Sequence, residues 1–198
     1  MIEIKNLYKS YHKKKIYENL NLKIEENKIS CLIGASGYGK TTLLRILAGL
    51  EGYEKGQIEG LDGKRISFVF QDNRLMNWLS VSENICYVIE DLPKAEKEAR
   101  LEWALKLLRL EKERNSHVET LSGGMQRRVA IARALVYESD LLLMDEPFVG
   151  LDEALKEEII KKLHQVWQEK QQTVILVTHE KETAQRLGNI IDLEKLMK

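Results

Sequence analysis

Gly34-Ala35-Ser36-Gly37-Tyr38-Gly39-Lys40-Thr41-Thr42 is the stretch that decides the fold. It fits the spacing G-x-x-x-x-G-K-[ST], a loop that holds phosphate. Its glycines let backbone N–H groups turn inward around phosphate oxygens. Lys40 supplies a point charge, and the Thr41 hydroxyl is placed to ligate Mg²⁺. A helix that starts at such a loop aims the positive end of its dipole at the same anion. The flanks agree: residues 28–33 form an apolar run ending at Gly34, and residues 41–50 read as a short apolar helix.

Outward from the loop the chain alternates. Residues 66–70, 141–144 and 173–178 are further short apolar runs. Near-continuous apolar strands are expected where helices cover both faces of a parallel sheet. Residues 153–170 carry Leu155, Ile159, Leu163 and Val166 at helical spacing, with Ile160 and Trp167 alongside. The alternation predicts an α/β chain with a βαβ core. Two regions depart from it. Ile2/Ile4 and Leu20/Leu22/Ile24 alternate with period two, which predicts antiparallel strands wet on one face. Residues 84–134 read as helical. There Pro93 is placed to start a helix whose apolar side is Ala99, Trp103, Leu107 and Leu110, the rest being a charged, solvated face.

Composition narrows the classes. Of 198 residues 43% are hydrophobic and 31% charged, which excludes a disordered chain. Lys plus Arg and Asp plus Glu are 31 each, so the net charge is zero. That balance argues against a nucleic-acid binder and gives no field toward an anionic membrane. No apolar run approaches the roughly 18 residues needed to span a bilayer. The first residues lack the layout of a signal peptide. Cys31 and Cys86 have no metal spacing; Cys31 reads as a core residue, and a reducing, cytosolic setting fits.

Downstream, residues 141–144 end in Asp145-Glu146. An acid at the carboxyl end of a parallel strand sits in the ligand crevice. Asp145 there is placed to hold Mg²⁺, and Glu146 to polarise water as general base.

Leu121-Ser122-Gly123-Gly124-Met125-Gln126 closely resembles the signature of ATP-binding cassette (ABC) ATPases. The resemblance implies a P-loop NTPase (RecA-like) core with an antiparallel β-subdomain and an α-helical subdomain. It implies one cassette over residues 1–198: antiparallel strands and P-loop core roughly over 1–72, helical subdomain roughly over 73–135, remaining core over 136–198. It further implies that the signature acts in trans, closing over ATP bound to the loop of another cassette, in a homodimer or heterodimer. Gln71 resembles the Q-loop glutamine, a Mg²⁺ and water contact. Asp152 in Val149-Gly150-Leu151-Asp152 resembles the D-loop, and His179 the switch histidine at the γ-phosphate. Tyr11 resembles the aromatic that stacks on adenine, although Tyr8 and Tyr17 lie near. On this reading Lys40, Glu146 and His179 are catalytic, and Thr41, Gln71 and Asp145 hold the metal.

Residues 72–85, with Glu146-Pro147-Phe148, look like importer ATPases of the nitrate, sulfonate and taurine type; thiamine and iron importers are also similar. The implied partners are transmembrane permease subunits and an extracytoplasmic solute-binding protein, with the cassette cytoplasmic and peripheral on the inner face of the membrane. Leu75, Met76 and Trp78 are the expected exposed contacts for a permease helix; the alternative is that they fill the subdomain core. Other readings are a soluble ABC ATPase such as one in cluster assembly, a small-molecule kinase, and a degenerate binding module. The kinase gives no reason for Ser122-Gly123-Gly124. Intact Lys40, Asp145, Glu146 and His179 oppose the last. Three features depart from the pattern. Tyr38 stands where a small residue is usual. Residues 40–71 are short, which predicts a trimmed antiparallel subdomain. Nineteen residues follow His179, which predicts no C-terminal regulatory domain.

Overall fold

Residue alternation sorts the strands into two sheets. The computed structural model describes residues 1–12 and 14–196. β1 (Ile2–Tyr11), β2 (Lys14–Ile24) and β4 (Lys55–Glu59) form an antiparallel sheet in the order β2-β1-β4. Ile2, Ile4 and Leu7 point to its buried face and pair with Ile24, Leu22 and Leu20. β3 (Ile29–Ile33), β5 (Ile66–Val69), β6 (Leu141–Asp145), β7 (Thr173–Val177) and β8 (Asn189–Asp192) form a parallel sheet in the order β5-β6-β7-β3-β8.

Every residue of β6 and β7 is buried, because both faces are covered. On one face Leu141, Leu143, Ile175 and Val177 pack with α1 (Lys40–Leu47) and the antiparallel sheet. On the other, Leu142, Met144, Val174 and Leu176 meet α2 (Val81–Cys86), α3 (Lys94–Leu107), α4 (Gly123–Val136) and α5 (Glu153–Lys170). α6 (Lys181–Leu187) and α7 (Leu193–Leu196) follow. The register fixes the site. Val177 is opposite both Asp145 and Leu32, so β6, β7 and β3 end at one level. The loop after β3, the acids after β6 and His179 after β7 are therefore neighbours. Among the described residues no helix is long and apolar enough to cross a membrane.

Residues 84–134 are helical as expected, spanning parts of α2 and α4 with α3 between them and short 3₁₀ turns joining them. One expectation needs correction. Pro93 does cap α3, and of the expected side Leu110 is buried while Trp103 and Leu107 pack on the core, but the fully buried stripe of the helix is Leu101, Ala104, Leu105 and then Leu108. These fall at i, i+3, i+4 and i+7, one face of the helix. Ala99 is exposed, and Trp103 lies at the edge with the Lys170 ammonium 5.0 Å from its ring centre.

Candidate functional site

The glycine loop is held by packing from behind. Gly34, Gly37 and Gly39 have φ of 144°, 86° and 85°. At Gly39, a Cβ would lie 2.6 Å from both Ile16 and the Tyr17 hydroxyl, so the position is closed to any side chain. The buried Tyr17 hydroxyl donates to the Gly39 carbonyl at 2.6 Å, and burial pushes that phenol well above its ordinary range. Lys40 opens α1. Its ammonium donates to the carbonyls of Gly34 at 2.8 Å and Ala35 at 2.9 Å. Burial pushes the Lys40 pKa down, and the nearby carboxylates of Glu146, Asp145 and Glu194 oppose that. Glu194, from α7, accepts the Ala35 N–H at 2.6 Å.

Asp145 ends β6 and is 2% exposed. Burial raises its pKa, against the Thr41 hydroxyl that lowers it. Its Oδ1 has no hydrogen-bond partner among the described residues. Glu146 follows with φ of 49°, a left-handed conformation that costs an unbranched residue about 1–3 kcal/mol. Its N–H donates to the Val177 carbonyl at 3.1 Å. Its Oε1 touches Nε2 of His179.

A cleft of about 420 Å³ is lined by Tyr11, Ser36, Gly37, Gly39, Lys40, Thr41, Thr42, Gln71, Glu146 and His179. All ten are expected site residues. Lys14 and Ile16 also line it and were not anticipated. Tyr11 is half-exposed, with the Lys9 ammonium 4.5 Å from its ring centre. Gly34, Ala35 and the half-exposed Tyr38 lie on the loop outside the lining, and Asp145 is buried.

The structure does not bring the remaining expected residues to this cleft. Ser122 caps α4, its hydroxyl oxygen accepting the Met125 N–H at 3.3 Å. A Cβ on Gly124 would lie 2.9 Å from the Gly150 carbonyl, so the start of α4 rests on the turn before Asp152. Nothing among the described residues lies within 4 Å of a Cβ built on Gly123. Gln126 donates to the Val118 carbonyl at 3.0 Å, and Leu121 and Met125 pack on the core. Asp152 caps α5, accepting the Leu155 N–H at 3.0 Å. Trp78 is 74% exposed as expected, but Leu75 and Met76 are half-buried, with Leu75 packed on the core.

Three groups at the site escaped the sequence reading. Tyr17 gives no signal beyond lying near Tyr11. Lys156, on α5, is buried and bonds both oxygens of Glu180 at 3.0 and 3.1 Å, fastening the residue after His179. Arg127, 4% exposed on α4, donates to carbonyls of the segments after β5 and β6. Its signal was the Arg127-Arg128 pair directly after the signature, on a helix that is otherwise apolar where it is buried.

The parallel sheet, the glycine loop opening α1, and acids at the end of the neighbouring strand define a phosphate-loop NTPase fold. A family profile described as ABC transporter matches residues 17–149. The aliphatic sulfonates import ATP-binding protein SsuB of Bacillus cereus is 40% identical over 183 residues, covering 89% of this chain and 72% of that protein. The taurine import ATP-binding protein TauB of Escherichia coli O157:H7 is 39% identical over 93% of this chain and 75% of its own length. Among solved structures, the ATP-binding cassette MJ0796, a dimer in a post-hydrolysis state with ADP and Pi, superposes with a TM-score of 0.87 at 32% identity, covering 97% of this chain and 94% of that one. The chain belongs to the ABC transporter family, and it is an ATPase.

Proposed function

We propose that this chain is the ATP-hydrolysing subunit of an importer, driving a separate membrane permease. One observation carries the reading: Lys40, Thr41, Gln71, Glu146 and His179 line a single cleft, with Asp145 buried at the end of β6. The relatives differ in cargo, from sulfonates and taurine to spermidine/putrescine, but all are named as import proteins. Import is therefore the shared property, and the cargo is not.

The residues fit Mg²⁺. An unpartnered buried carboxylate oxygen on Asp145, beside the Thr41 hydroxyl, is a hard oxygen donor pair. Thr41, Asp145 and Gln71 would hold the ion, which supplies neutralising charge on the phosphate oxygens.

Tyr11 stacks on adenine, and the backbone of residues 34–42 wraps the phosphates. Lys40 leaves its loop carbonyls for the γ-phosphate. Glu146 takes a proton from water as that water attacks the γ-phosphorus; the bond to the ADP oxygen breaks, leaving ADP and phosphate. His179 contacts Glu146 and steadies the developing charge. Ser122, Gly123, Gly124 and Asp152 act on ATP held by a second copy of the chain, while Leu121, Met125 and Gln126 fix the shape of that edge. Residues 1–198 work as one cassette, divided near residues 72 and 135. Trp78 marks the contact for the permease, at the cytoplasmic face of the membrane, with a solute-binding protein on the far side.

The test is Glu146→Gln. ATP affinity by calorimetry should stay near wild type while kcat falls about 10²- to 10⁴-fold. Wild-type turnover would remove Glu146 as the base.

A further inference from the structure

Arg127 lies one turn into α4 and is 4% exposed. It does not line the cleft. Its Nε donates to the Pro147 carbonyl at 3.0 Å, and its Nη2 to the carbonyls of Asp145 and Glu146, each at 2.6 Å. Its Nη1 donates to the Phe70 carbonyl, to the Gln71 carbonyl at 3.2 Å and to Asn73 Oδ1 at 3.4 Å. A guanidinium has five N–H donors in one plane. All three nitrogens are therefore engaged, by two chain segments: the one carrying Glu146 and the one carrying Gln71. The bonds run to backbone carbonyls and one amide oxygen, not to the carboxylates. The shape of the backbone is what Arg127 controls.

That backbone needs control. Glu146 has φ of 49°, which an ordinary side chain adopts only when its surroundings enforce it. Burial pushes the Arg127 pKa down, and the charges of Asp145 and Glu146 hold the cation in place. Arg133, further along the same helix, donates to the carbonyls of Asn73 at 3.3 Å and Arg74 at 2.9 Å, so α4 grips the Gln71 segment twice.

We propose that Arg127 is a positioning residue for hydrolysis: it locks the backbone of Glu146 in the left-handed conformation that aims its carboxylate into the cleft, and ties that backbone to the Gln71 segment. Displacement of α4, which opens at Ser122, then moves Gln71 and Glu146 together. The proposal rests on the reading of Glu146 as the base.

The experiment uses the full chain with Arg127→Lys and Arg127→Met, each alone and combined with Glu146→Gln. Thermal unfolding establishes folding, calorimetry gives ATP affinity, and phosphate release gives kcat and KM. A lysine ammonium cannot span both segments as a planar fork does. Arg127→Lys should lower kcat about tenfold and Arg127→Met about 10²-fold, with ATP affinity and KM within about twofold of wild type. In the Glu146→Gln background, Arg127→Lys should cause no further loss. Wild-type kcat in folded Arg127→Lys overturns the proposal, and so does a loss of ATP affinity parallel to kcat. A full additional loss on top of Glu146→Gln overturns it as well. If Arg127→Met does not fold, Arg127→Lys decides alone. Wild-type turnover in Glu146→Gln by itself is a separate result, which removes the reading of Glu146 and the proposal with it.

Discussion

Gly39 and Gly123 both stand at the start of a helix that the site reading uses, yet their surroundings are opposite. A Cβ on Gly39 would sit 2.6 Å from Ile16 and from Tyr17, in a backbone with φ of 85°. A Cβ on Gly123 would meet nothing within 4 Å among the described residues. The phosphate loop is thus shaped from within the chain, by the Tyr17 hydroxyl, the Glu194 carboxylate and the packing of β2. The Ser122 edge has an open side. Its hydroxyl oxygen is used as a helix cap, which leaves the hydroxyl hydrogen free to donate. On the reading proposed above, the open side at Gly123 is where ATP bound to a second copy approaches.

Substitution sharpens the contrast. Gly39→Ala should cost about 2 kcal/mol or more in thermal unfolding, since both the φ and the space forbid it. Gly123→Ala should shift stability by no more than about 0.5 kcal/mol, yet lower ATP turnover about tenfold by crowding the approach of a phosphate. Equal stability losses for the two variants would break the comparison.

A smaller effect separates stability from function inside the cleft. Burial holds the Asp145 pKa above its ordinary value, so the folded chain takes up the proton more readily than the unfolded one. Stability from this group is full below the ordinary aspartate range and is lost as pH rises through the raised folded value. Asp145→Asn removes the dependence. Without nucleotide, the variant should be about 1 kcal/mol more stable than wild type at neutral pH, the gap closing on acidification, while ATP turnover is lost. Melting curves across pH check the sign; a wild type more stable than the variant at neutral pH would contradict it.

The α/β fold, the phosphate loop and the acids after β6 were legible because each rests on local pattern: apolar runs, a glycine spacing, acids at a strand end; Tyr11, Gln71 and His179 were reached only through the family resemblance. The buried face of α3 was read only in part, reaching its edge residue Trp103 and the buried Leu110 but not Leu101, Ala104, Leu105 and Leu108, because a helix half of whose residues are charged leaves more than one helically spaced apolar side to choose from. Leu75 was misread as exposed because no local pattern says which side of a loop meets the core. Tyr17 and Lys156 were invisible for a different reason, and Arg127 showed only as half of a basic pair after the signature. Each acts on backbone or side chains brought near by the fold, across sequence gaps of 22, 24 and 57 residues at their bonds to Gly39, Glu180 and Phe70. Such pairings leave no periodicity to read.

On the proposed function, the cleft of one copy is completed by the Ser122 edge of another. Two variants, Lys40→Ala and Ser122→Arg, should each be inactive as homodimers. Mixed dimers carry both defects in one site and neither in the other. Phosphate release measured on an equal mixture should therefore return to a substantial fraction of wild-type turnover. A mixture that stays as inactive as the separate variants would contradict the claim and return Ser122 to a purely structural role as the cap of α4.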